Sequence, residues 1–197
     1  MSIGVILHEP EQPGNTGAIG RTCICAGASL HLIRPLGFLT DEKSVKRAGL
    51  DYWPNLEWEI VDDWNALLDR LAESDDGAPC AFSGTRPNPD SSTGSEKMVN
   101  AGSSVDSIWT RPFPRRFWLL TKRGVADYCS AELRRGDVFV FGAESTGLPQ
   151  EMLDAHPESC LRIPILPGIR SLNLSVSVGV TAFEARRQIY GVSPVHS

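Results

Sequence analysis

The sequence predicts one α/β domain built on a largely parallel sheet. Two observations carry that prediction. Short apolar runs of strand length alternate with stretches whose apolar residues recur at helical spacing. The chain has 197 residues, 41% of them hydrophobic and 22% charged, with no visible internal repeat; that suffices for a single core without staples.

The elements follow in order. Residues 3–7 are an apolar run ended by His8-Glu9-Pro10, a buried first strand. Pro13-Gly14-Asn15-Thr16 is a turn opening a helix that is expected to reach about Ala28. Residues 29–33 form a second strand, closed by Arg34-Pro35-Leu36-Gly37, and residues 41–50 a short charged helix. Trp58–Val61 reads as a strand, and residues 62–73 as a helix through Trp64, Leu67, Leu68 and Leu71. Composition then changes: of the 29 residues 84–112, 17 are Ser, Gly, Pro, Thr or Asn. Such a segment cannot bury enough apolar surface to offset its ordering entropy, so a flexible insertion is expected there. Strands resume at 117–121, 137–141 and 161–165, and a long helix is expected over 171–190.

Charge and cysteine content narrow the function. A net charge of −5 excludes a uniformly basic nucleic-acid coat. The charge is sorted by segment: residues 57–76 hold eight acids and one base, whereas 111–135 hold seven bases and two acids. A basic face is therefore expected from Arg111, Arg115, Arg116, Lys122, Arg123, Arg134 and Arg135, together with Lys43, Lys46 and Arg47. Five cysteines without a Cys-x-x-Cys pair argue against a disulfide framework or zinc ribbon and suit a reducing, cytoplasmic compartment. The N-terminus reaches acid by Glu9 and lacks the basic start of a signal peptide. The longest apolar run, within 172–183, is too short to span a bilayer, so no membrane partner is expected.

Three constellations could carry chemistry. Gly14, Gly17 and Gly20 follow a strand at spacing three and resemble a dinucleotide loop, with Arg34 placed as a phosphate reader; the spacing equally suits a tight turn with small residues where helix meets sheet. Phe141-Gly142-Ala143-Glu144-Ser145-Thr146-Gly147-Leu148-Pro149 ends a strand in a glycine that admits a ligand to the backbone, or is a capped turn into a helix. The loop 163–170 leads into Ser171, Asn173 and Ser175, residues that cap helices and also present hydroxyl and amide groups to a neighbouring site.

Taken together and in this order, PGNTGAIGRTC, FGAESTGLP and RIPILPGIRSLNLSVSVGVTAFEARRQ resemble the three motifs of the SPOUT methyltransferases. LIRPLGF and KRAGLDYW narrow the resemblance to the tRNA (cytidine/uridine-34)-2′-O-methyltransferase family, over residues 3–62 and 117–191. The resemblance implies an α/β parallel-sheet domain with a C-terminal deep trefoil knot, and a homodimer. It implies S-adenosyl-L-methionine as methyl donor, with no metal, and transfer to the ribose 2′-hydroxyl of the wobble nucleotide in a tRNA anticodon loop. Residue by residue, it implies that Leu120, Gly142, Ile163, Ser171 and Leu172 line the donor site. Asn15, Arg21 and Ser171 match catalytic positions, and Arg21, Glu144 and Asn173, with Lys43 and Arg47 added from their charge, are the candidates for substrate contact.

These residue types suit the reaction. A ribose hydroxyl is a weak nucleophile whose developing oxyanion needs stabilisation, for which Arg21 supplies a cation that stays protonated. Asn15 and Ser171 would orient the hydroxyl and Arg21. Ala143, Thr146, Val176 and Phe183 depart from the usual proline, arginine, asparagine and tyrosine of the motifs. Methylation of another tRNA or rRNA position, a non-catalytic RNA-binding role, and a small NADP-dependent oxidoreductase are the alternative readings.

Overall fold

The computed structural model describes residues 3–38, 53–73 and 108–191. The expected helix at 41–50, Lys43, Lys46, Arg47 and residues 84–107 lie outside the described residues. Seven described strands form one sheet: β1 (Ile3–His8), β2 (Ala28–Ile33), β3 (Trp58–Val61), β4 (Phe117–Leu120), β5 (Ala126–Asp127), β6 (Val138–Phe141) and β7 (Cys160–Arg162). Their order is β3-β2-β1-β6-β4-β7-β5, and every pairing is parallel. The helices are α1 (Pro13–Ala26), α2 (Trp64–Glu73), α3 (Gln150–Ala155) and α4 (Leu174–Tyr190).

The apolar runs become strands because both faces of the sheet are covered. Successive side chains point to opposite faces. Val5, Leu7, Leu30, Leu32, Phe139 and Phe141 pack with Ile19, Cys23 and Ala26 of α1 and Val178, Ala182 and Ala185 of α4. Ile6, Ile33, Leu119, Val138 and Val140 pack on the other face with Trp64, Leu67, Leu68 and Leu71 of α2 and Met152 of α3. Each fully buried leucine here contributes roughly 1.5–3 kcal/mol.

Several boundaries differ from expectation, each for a local reason. α1 stops at Ala26 because Gly27 takes a left-handed conformation (φ 71°) and turns the chain directly into β2. The last helix begins at Leu174 rather than at 171, because Asn173 is its N-cap: its side chain accepts from the backbone N–H of Ser175 and Val176. β7 ends at Arg162, two residues ahead of Pro164, which has no N–H to continue a ladder. β5 and α3, only two and six residues long, lacked a periodic signal. The end of the expected insertion is packed: Ile108–Thr110 is a 3-10 helix, and Trp109 is buried against Trp64.

β7 lies between β4 and β5, and the 121–125 link joining those two strands runs across it. Thr121 N–H donates to Leu161 O at 2.9 Å and Val125 N–H to Cys160 O at 3.2 Å. A Cβ on Gly124 would stand 2.3 Å from the Leu161 carbonyl carbon, so the link rests directly on the β7 backbone. Asp137, at the entry to β6, is buried and accepts from Arg116, Trp118 Nε1 and the Arg134 N–H. Among the described residues no helix is long and apolar enough to cross a membrane.

Candidate active site at the carboxyl ends of the strands

The ends of β1, β6, β4 and β7 open into one cavity of about 800 Å³. Ligand sites in open α/β sheets form at such strand ends. His8 and Glu9 enter from β1, Leu120 and Thr121 from β4, Phe141 and Gly142 from β6, and Ile163 from just past β7. Gly142 must be glycine, since a Cβ there would stand 2.1 Å from the Gly147 carbonyl carbon. That closeness holds the 143–147 turn, where Gly147 N–H donates to Ala143 O at 2.8 Å.

A carboxylate from this turn organises the neighbouring loop. Glu144 accepts from the backbone N–H of Glu11 at 2.8 Å and of Gln12 at 3.2 Å, and from Asn15 Nδ2 at 2.9 Å. Gln12 is the N-cap residue of α1 and makes no side-chain cap of its own, so Glu144 places its charge at the positive end of that helix. Glu11 returns the interaction, accepting from the N–H and hydroxyl of Ser145. Asn15 Oδ1 in turn accepts from Asn173 Nδ2 at 2.9 Å. The three sequence motifs thus meet through one hydrogen-bonded line, Glu144–Asn15–Asn173.

Leu120, Gly142, Ile163, Ser171, Leu172, Asn15, Glu144 and Asn173 all line this cavity. Arg21 does not; it lies on the exposed side of α1. The three glycines of the first motif belong to α1 itself, which starts at Pro13, and Gly17 and Gly20 are buried. They are the small residues of a helix packed on the sheet, not a phosphate loop, and Arg34 pairs with Asp62 at 3.4 Å. Nothing in this geometry favours the dinucleotide reading.

The basic segment is sorted by its partners. Arg111 pairs with Asp69, Arg116 with Asp137 and Arg134 with Glu132. Lys122 and Arg123 line the cavity, with Arg123 donating to Gln150 Oε1. Arg135 lies over the ring of Tyr190, 4.7 Å from its centroid. His8, Thr121 and Gln150 also line the cavity and were not anticipated. Their position at or just beyond the strand ends, and in the first turn of α3, was the signal that could have found them.

The fold and site define a parallel α/β protein with a cavity at its strand ends, lined by a glycine-backed turn and the start of an asparagine-capped helix. Residues 2–183 match the SpoU rRNA Methylase family, and the chain belongs to it. The tRNA (cytidine(34)-2'-O)-methyltransferase of Burkholderia ambifaria is 38% identical over 185 residues, covering 93% of this chain and 94% of that protein. That of Methylovorus glucosotrophus is 36% identical with the same coverage. A structure solved for insights into the 2-OH methylation of C/U34 on tRNA superposes with a TM-score of 0.69 at 36% identity, over 94% of this chain and 95% of that one. AviRb of Streptomyces viridochromogenes, in its complex with AdoMet, shares the fold at a TM-score of 0.66 and 20% identity, over 94% of this chain and 57% of that one.

Proposed function

We propose that this chain is an S-adenosyl-L-methionine-dependent methyltransferase acting on the ribose 2′-hydroxyl of the wobble nucleotide, 34, of tRNA. The observation that carries this is the Glu144–Asn15–Asn173 line in one cavity with Leu120, Gly142 and Ile163. The relatives' activity on nucleotide 34 supports the choice of substrate.

The cavity fits the methyl donor. Leu120, Ile163, Ile165 and Leu172 offer apolar walls for an aromatic base, Thr121 and Ser171 offer hydroxyls, and Gly142 leaves backbone open to close approach. When bound, the donor supplies an electrophilic methyl group on its sulfonium. Asn15, its amide fixed at both ends, and Ser171 orient the ribose hydroxyl for in-line attack. Glu144 positions Asn15 and the loop before α1. Asn173 sets the start of α4 and bonds Asn15, while Lys122 and Arg123 line the same cavity just past the end of β4.

Arg21 stabilises the developing alkoxide in this reading. Since it stands outside the cavity of its own chain, a second copy brings it to the site, and the protein works as a homodimer. The exposed, seven-spaced Val176 and Phe183 on α4 supply an apolar face for that contact, each 48% exposed. The C-terminal region is a trefoil knot in this account, supported by β7 lying beneath the 121–125 link. The chain is one catalytic domain with an insertion over 84–112, and it acts in the cytoplasm, the compartment that suits a tRNA substrate and the four free cysteines among the described residues.

Incubating purified protein with tRNA and labelled S-adenosylmethionine tests the reading. Label should enter tRNA and be lost with Asn15→Ala; sedimentation at micromolar concentration should give a dimer. Absence of transfer to any tRNA would refute the activity, and a stable monomer would refute the shared site.

A further inference from the structure

Among the described residues Glu9 is the only one other than glycine with a left-handed backbone (φ 55°). A side chain is strained there and persists only where its surroundings hold it. Glu9 turns the chain out of β1 into the 10–12 segment, which leads to α1 and Asn15. That segment is held on one side by the 143–147 turn. Glu144 takes the N–H groups of Glu11 and Gln12, and the Glu11 carboxylate takes the N–H of Ser145.

The loop after β2 holds it on the other side. Glu9 N–H donates to Ile33 O at 3.0 Å, and Gly37 N–H donates to Pro10 O at 2.9 Å. A Cβ on Gly37 would stand 2.7 Å from Glu11 Cα and 2.8 Å from Glu11 O. Side chains do not approach backbone so closely, so a residue larger than glycine must displace one of the two segments. The 34–37 loop is itself anchored: Arg34 N–H donates to Val61 O at 3.1 Å, and Leu36 packs against the core. Gly37 is exposed and does not line the cavity.

We propose that Gly37 is a positioning residue for methyl transfer, seating the loop after β2 on the backbone of Pro10 and Glu11 and, through Glu144, fixing Asn15. This rests on the function proposed above. The path is continuous. Gly37 abuts Glu11, the Glu11 N–H bonds Glu144 Oε2 at 2.8 Å, and Asn15 Nδ2 bonds Glu144 Oε1 at 2.9 Å. Glu11 and Asn15 share one carboxylate, so a displaced Glu11 pulls on the acceptor that orients Asn15. A misplacement of about 1 Å in such a positioning group can cost roughly 100-fold in rate. A role confined to fold stability would instead reduce the folded fraction and leave the rate per working site as it was.

The test is Gly37→Ala, assayed with a tRNA transcript and S-adenosylmethionine, with working sites counted by calorimetric titration with S-adenosylhomocysteine. The rate per site should fall about 10- to 100-fold, with KM for tRNA and affinity for S-adenosylhomocysteine unchanged. On a Glu144→Gln background the same substitution should cost far less, because the link it acts through is already broken. A wild-type rate per site, a loss confined to KM, or the full loss repeated on Glu144→Gln would overturn the proposal. If Gly37→Ala does not fold, amide hydrogen exchange, read by residue in wild type and Glu144→Gln, decides instead. Coupling runs both ways, so Glu144→Gln should lower protection of the Gly37 N–H and spare the Arg34 N–H on the anchored side of the same loop. Unchanged protection at Gly37, or an equal drop at Arg34, would overturn it. A wild-type protein that methylates no tRNA would overturn the function, and the role in turnover with it; the exchange measurement would still decide the coupling.

Discussion

Asn15 Nδ2 donates to Glu144 Oε1 at 2.9 Å, joining residues 129 positions apart in sequence. The carboxylate takes three donors in all, one on Oε2 and two on Oε1. In Glu144→Gln one of those oxygens becomes an NH₂ group that faces a donor whichever way the amide turns. Hydrogen bonds to charged groups contribute about 1.5–3 kcal/mol each. Glu144→Gln should therefore lower stability by roughly 1–3 kcal/mol in urea denaturation. Methyl transfer should fall at least tenfold, because Asn15 loses its fixed orientation. Unchanged turnover would show that Asn15 needs no such support.

Asp137 is a second buried carboxylate, remote from the cavity. It is 1% exposed and takes both Arg116 nitrogens at 2.7 Å. Asp137→Ala leaves the Trp118 indole N–H without its acceptor, while Arg116, over a third exposed, keeps the Glu132 carbonyl, so it should cost about 1–3 kcal/mol. Asp137→Asn should cost less. Donor affinity of the folded fraction, measured by calorimetry, should not change.

Glu59 gives the fold a pH dependence. His31, through its hydrogen bond first, and then Arg70 hold its carboxyl below the usual range, against the opposing effect of burial. A depressed folded pKa means that this contribution is complete above the unfolded value near 4.5. It is lost as pH falls through the lower folded value. Wild type should thus exceed Glu59→Gln in stability at pH 7, and the gap should close progressively below about pH 4.5. A gap independent of pH would contradict this.

The cysteines should divide by burial. Cys25 and Cys129 are exposed, whereas Cys23 and Cys160 are buried with their thiol pKa values raised by desolvation. Peptide mapping after a short native thiol labelling should find label on Cys25 and Cys129 and none on Cys23. Labelled Cys23 in the native protein would contradict the packing of α1.

Much of this was legible in sequence because the signals were local. The β1, β2, β3 and β6 runs read as strands within a residue or two, and α2 showed its apolar face as Trp64, Leu67, Leu68 and Leu71. Eight of the motif residues singled out in the sequence line one cavity and Arg21 does not, but the union of Asn15, Glu144 and Asn173 was not visible: Asn15 could be read as a turn residue and Asn173 as a cap, and nothing local says that they bond each other. The fate of the basic segment was equally hidden. Nothing local says that Arg111 pairs with Asp69 and Arg116 with Asp137, which arrive from elsewhere in the chain. Trp109 was lost in its Ser/Gly-rich surroundings, and His8 looked like the end of a strand.

The most direct test is nucleoside mass spectrometry, mapped by position, of tRNA from cells with and without this protein. The account predicts 2′-O-methylcytidine or 2′-O-methyluridine at position 34 in cells that have it, and its loss in cells that lack it. Identical wobble nucleosides in both would contradict the central claim.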